Sequence, residues 1–192
     1  RRNAEGAYLL DSPEDLAWFA YRVNQGVTNL HGVLQADLDM TGAAYAAAGK
    51  TLEWAPIGTE NGPFTGVFQG GSGHSSAHVV DKLVTQGYES YRGLFGSVKN
   101  ATLEYFGVGK NSVINGGMRL AGVVGYANGG TLTGCWNEGQ VNGNSTQTGG
   151  IVGYMDSTAG DIILRQCFNL GTVKVDVGGG AAYVGGLVGL AN

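Results

Sequence analysis

Gly93-Leu94-Phe95-Gly96, Gly122-Val123-Val124-Gly125, Gly150-Ile151-Val152-Gly153 and Gly186-Leu187-Val188-Gly189 are four copies of one glycine-bracketed tetrad. Their starts lie about 29, 28 and 36 residues apart, inside the range where a repeat signals a solenoid or array. A fainter copy, Gly66-Val67-Phe68, precedes the first by about one further period. The eight bracketing glycines, Gly93, Gly96, Gly122, Gly125, Gly150, Gly153, Gly186 and Gly189, are the structural signature of the repeat.

Working outward from the tetrads, a second ladder aligns. Leu103, Leu132 and Leu164 each lie three residues before Phe106, Cys135 and Cys167. Trp136-Asn137 then matches Phe168-Asn169, and Gly139-Gln140-Val141 matches Gly171-Thr172-Val173. Each copy thus offers three short apolar segments, with glycine and asparagine between them to supply corners, because both tolerate positive φ. Short strands with no helix between them predict an all-β right-handed parallel β-helix, a solenoid in which like residues stack about 4.8 Å apart. Phe106, Cys135 and Cys167 then form one inward ladder, and a disulfide between neighbouring rungs is within reach at that spacing. The longest interval predicts extra chain near Gly178-Gly179-Gly180.

The N-terminal third reads differently. Residues 8–26 predict one helix: Ser12 as N-cap, Pro13 at the first position, Glu14 and Asp15 in the first turn, and Asn24-Gln25-Gly26 as the stop. Leu16, Phe19, Ala20 and Val23 make its apolar face, suited to covering the open end of the solenoid. Val33 to Met40 predicts a strand. The alanine-rich residues 41–53 predict a short helix or an irregular connection, and Phe64, Val67 and Phe68 are expected in the core. The predicted division is a cap over residues 1–63, with one helix and leading strands, and β-helix coils over 64–192, in one continuous structural domain.

Composition excludes several function classes. Charged residues are 14% and hydrophobic ones 43%, which argues against disorder. Net charge is −4 with no lysine or arginine run, so nucleic acid and an anionic membrane surface are not expected partners. No apolar run has the length of a transmembrane helix. Two cysteines are too few for a disulfide scaffold or a zinc site. Asp37 and Asp39 lack the further oxygen ligands of a calcium loop. His74 and His78 sit in a glycine- and serine-rich loop with no glutamate between them, so no metal or other cofactor is expected. The acids of the repeats, Glu104, Glu138, Asp156, Asp161 and Asp176, fall at different positions of the repeat, and Thr102, Thr131, Thr133 and Thr172 give no flat threonine ladder for ice. Tyr126, Tyr154, Trp136 and Phe168 could offer a glycan platform, although the same four rings also fit core or ladder positions. The chain begins without Met and stops just after a tetrad, which reads as a piece of a longer protein.

The tetrads, with the Cys-aromatic-Asn-x-Gly-x-Val segments, resemble the GLUG-motif repeats of bacterial surface and secreted proteins. Ser12-Pro13-Glu14-Asp15-Leu16, Asp37-Leu38-Asp39, Trp54-Ala55-Pro56-Ile57-Gly58 and Phe64-Thr65-Gly66-Val67-Phe68-Gln69-Gly70 are similar to what precedes such repeats. The resemblance implies an extracellular or cell-surface, adhesin-like module without catalytic residues of its own. Such a module binds a host glycan or extracellular protein, or serves as a stalk for other domains of the same parent chain. The alternatives are a carbohydrate-active β-helix enzyme and the accessory domain of a secreted peptidase.

Overall fold

The computed structural model describes residues 1–41 and 53–192; the alanine-rich segment with Ala43, Ala44, Ala46, Ala47 and Ala48 lies outside the described residues. Strand dominates, at 44%, against a single α-helix (α1, Pro13–Asn24) among the described residues, so the fold is all-β in class. Every pairing between the described strands is parallel.

These strands form four sheets, which the chain visits in turn. In the second copy, Leu120–Ala121 enters the first sheet, Val124–Thr133 the second, Trp136–Asn137 the third and Gln140–Gly143 the fourth. The next copy repeats the order with Thr148–Gly149, then Val152–Asp156 and Ile162–Arg165, then Phe168–Asn169 and Val173–Val175. Three apolar segments per copy were expected. The difference arises because the tetrad's second half and the leucine three residues before the cysteine share one ten-residue strand, while the two residues before the tetrad pair in a sheet of their own. That long strand bends at its middle. Asn100 (φ 50°) and Gly129 (φ 73°) sit in the left-handed region between the paired residues on either side.

The register places like on like. Leu103 pairs with Leu132 and Leu132 with Leu164. Trp136 pairs with Gly107 and Phe168, which sets Phe106, Cys135 and Cys167 on consecutive rungs. Phe106 and Cys135 are fully buried, and Cys167 is half-buried. Both cysteines are free thiols. Asn137, fully buried, donates to Asn169 Oδ1 (2.9 Å) and to Gly139 O, and accepts from Gly139 N, so an internal amide ladder satisfies the turn that follows the aromatic residue.

Two further rows of left-handed residues make corners. One runs Tyr91 (φ 60°), Arg119 (φ 62°), Gln147 (φ 68°); the other runs Tyr105 (φ 52°), Gly134 (φ 64°), Gln166 (φ 53°). Glycine and asparagine therefore supply only part of the corners, and the larger side chains are held there at about 1 kcal/mol each or more. The tetrad glycines have another role. A Cβ on Gly125 would lie 2.9 Å from Gly96 O, on Gly153 2.6 Å from Gly125 O, and on Gly189 2.6 Å from Gly153 O. Close backbone approach between neighbouring copies demands them, not positive φ. The extra residues of the long interval enter at two places. Pairing jumps from Asn128↔Asp156 to Gly130↔Ile162, across the turn Ser157–Ala159, and from Gly143↔Val175 to Thr148↔Val184, around the expected Gly178-Gly179-Gly180.

At the other end, Ser12 Oγ accepts from Asp15 N and caps α1, whose Leu16, Phe19, Ala20 and Val23 are buried. Phe19 meets Phe64 and Phe68 edge-on (centroids 5.9 and 5.8 Å), and Asn24 ties the helix end to Pro56 O and Gly58 N. A phenylalanine row, Phe64, Phe68, Phe95 and Phe106, continues from there into the repeats. Three expectations change. Tyr8–Leu10, inside the predicted helical stretch, is a strand paired with His31–Leu34. The predicted strand from Val33 to Met40 is two, His31–Leu34 and Leu38–Asp39, in different sheets. Val67 points away from the core because strand alternation buries its neighbour Phe68.

Candidate functional site: a tyrosine and arginine groove

The corner row and the long sheet converge on one groove. Register stacks Tyr126 on Tyr154, with Ser97 below Tyr126. Tyr91 and Arg119 reach this row from their left-handed corners. The guanidinium of Arg119 lies over the rings of Tyr126 (4.7 Å), Tyr91 (4.8 Å) and Tyr154 (5.4 Å). Arg119 Nη1 also donates to the Tyr91 hydroxyl, which donates to Glu60 Oε1 (2.5 Å). Glu60 itself stands 4.0 Å from Arg119. Tyr126 donates to Asp156 Oδ2 (2.8 Å).

The cavity here is about 340 Å³, lined by Glu60, Tyr91, Ser97, Lys99, Arg119 and Tyr126 among others. Burial, then the hydrogen bond to Asp156, push the Tyr126 phenol up to about 12. The Thr158 backbone N–H and the Tyr126 hydroxyl hold the Asp156 carboxyl below the usual range. Tyr126 is therefore a neutral donor and Asp156 an anionic acceptor at ordinary pH. Arg119 Nε is buried and has no hydrogen-bond partner, and Lys99 is exposed with no ion pair among the described residues.

Of the rings expected to offer a glycan platform, Tyr126 lines this groove and Tyr154 stands beside it, and Arg119 lies over a face of each. Trp136 and Phe168 form a second stack, parallel within 9° at 5.8 Å, under His74. Only 8% of Trp136 is exposed, and a Cβ on Gly107 would run into its indole, so Trp136 is closed to a ligand while Phe168, at 37% exposed, is the outer ring of the stack. Sequence reasoning missed Tyr91, Arg119 and Glu60. A weak signal exists for the first two: a large polar or aromatic residue stands two or three positions before the tetrads, at Tyr91, Arg119, Gln147 and Tyr183.

A second cavity, about 410 Å³, brings Asp37, Asp39, Asp81, Lys110 and Glu138 together, which their sequence positions do not suggest. Asp39 and Asp81 pair in register. Their oxygens are committed locally. Lys82 Nζ (2.6 Å) and Thr41 hold the Asp39 carboxyl well below the usual range, and Asp81 accepts from Asn111 and the Lys82 amide. Asp37 accepts from Val79 N and contacts His78. No group of His, Cys, Asp and Glu able to hold a metal is present among the described residues. Thr102 and Thr131 do stack, contrary to expectation, but the row ends at Ile163. No helix among the described residues is long and apolar enough to cross a membrane. Comparison with family models, with curated proteins and with solved structures finds no match to this chain.

Proposed function

We propose that the chain is a right-handed parallel β-solenoid, capped by α1 at its N-terminal end, and that it works as a non-catalytic, adhesin-like module at a bacterial surface or outside the cell. The observation that carries the binding role is the groove around Arg119. It gathers a guanidinium, a lysine, a carboxylate and phenol hydroxyls from two copies of the repeat and the segment before them. The four parallel sheets with like-on-like register support the solenoid, and the GLUG-like pattern supports the surface location.

Hydrolysis of a glycoside needs one carboxyl held neutral as acid and a second free to attack or to activate water. In the cavity of Asp39 and Asp81, both carboxylates are instead occupied as turn and ion-pair acceptors. A screen of the protein against host glycans and extracellular-matrix proteins, with product release followed in the same wells, tests this reading. Saturable binding without turnover is expected. Turnover overturns the non-catalytic reading, and silence throughout leaves a stalk that carries other domains of its parent chain.

A further inference from the structure

We propose that the groove around Arg119 binds an acidic sugar chain, taking a ligand carboxylate on Arg119 and Lys99 while Glu60 accepts ligand hydroxyls. The inference rests on the reading of the chain as a binding module and names the ligand class.

The charges of the groove favour an anionic ligand. Arg119 and Lys99 are two cations on one groove. Glu60, the nearest anion to Arg119, stands at 4.0 Å, is largely exposed, and already accepts the Tyr91 hydroxyl. Lys99 has no anionic partner among the described residues. The outer nitrogens of the Arg119 guanidinium, not its buried Nε, are the donors available to a ligand. A planar guanidinium already fixed over tyrosine rings loses little freedom on gripping a carboxylate.

The lining is also mixed in sign. An acidic peptide carries a carboxylate on each flexible side chain and no hydroxyl donors, and would be repelled by Glu60 and by Asp156, which accepts the Tyr126 hydroxyl beside the groove. The chain's net charge of −4 opposes a densely anionic partner too. A uronate-type sugar carries one carboxylate per ring together with several hydroxyl donors, and so satisfies both signs. Arg119 already lies over the tyrosine rings, so recognition runs through hydrogen bonds and ion pairs at the guanidinium and the phenol edges. A volume of about 340 Å³ stands at the small end of ligand cavities, about 300–1,000 Å³.

Calorimetry with short oligogalacturonides, their methyl esters and polyglutamate tests the proposal on the protein as it stands. Oligogalacturonide should bind saturably and weaken with added salt, and both controls should bind at least about tenfold more weakly. Lys99→Glu, at an exposed position, should weaken binding about tenfold with an unchanged melting temperature. Arg119→Lys keeps the charge but loses the planar fork, and should weaken it as well. Equal binding of the methyl ester removes the carboxylate from the account, and equal binding of polyglutamate replaces the sugar with a peptide. Oligogalacturonide binding indifferent to both variants moves the site elsewhere and leaves the binding-module reading intact. No binding of any probe overturns the groove proposal, while the wider screen still decides the module reading.

Discussion

At the residue scale, the tetrad glycines separate two reasons for glycine. Gly150 and Gly186 occupy the same repeat position. A Cβ on Gly150 would run into Gly186 O of the following copy and into Asn169 of its own, whereas a Cβ on Gly186 meets nothing within 4 Å. Gly150→Ala should therefore cost about 1–3 kcal/mol through overpacking. Gly186→Ala should be neutral or stabilise by up to about 1 kcal/mol through the unfolded state. Urea unfolding of the two variants checks this, and equal losses would mean that the glycines answer to local conformation instead of stacking. Tyr126 supports a second prediction. Its folded phenol titrates near 12 against about 10 for an ordinary tyrosine. Below pH 10 both states hold the proton and stability is unaffected. Between about 10 and about 12 the unfolded state loses its proton first, so stability falls with rising pH. Tyr126→Phe should flatten that part of the stability–pH curve, and an unchanged curve would remove the burial and Asp156 from the explanation. The cysteines were legible as ladder residues, because their identical offset from Leu132 and Leu164 needs only a period to be seen. Arg119 was not, because its partners Glu60, Tyr91 and Tyr154 lie far apart in sequence and meet only through the register.

At the element scale, α1 was legible because its signals are local: the cap, the acids of the first turn, and apolar residues at helical spacing. The strand Tyr8–Leu10 was hidden beside it, since three residues carry too little alternation to show a period. Likewise, the strands Leu120–Ala121 and Thr148–Gly149 are only two residues long and are defined by pairing with the next copy. The helix acts as a lid on the first phenylalanine layer. Phe19→Ala should cost about 3–5 kcal/mol, read by thermal or urea unfolding, because it opens a cavity against Phe64 and Phe68. A loss under about 1 kcal/mol would mean that the lid is dispensable. The long strand was misread for a related reason: the left-handed bend at Asn100 and Gly129 makes one strand look like two apolar segments.

At the scale of the whole molecule, the two ends differ. The helix covers one, while Ile163, Phe168, Leu170, Tyr183, Val184 and Leu187 of the last copy are 37–73% exposed. The proposed solenoid explains the contrast: each copy buries its apolar row under the next, and the last has none above it among the described residues. Adding one further copy of the repeat beyond Asn192 should therefore raise the melting temperature, and no gain would mean that neighbouring copies do not stabilise one another. The central claim, that successive copies stack in parallel and in register, is tested most directly by backbone NMR. The account predicts amide-to-Hα contacts of the parallel pattern linking Val141 to Val173 and Val152 to Val188. Antiparallel Hα–Hα contacts, or a register displaced by one residue, would turn each apolar row to the opposite face and contradict it.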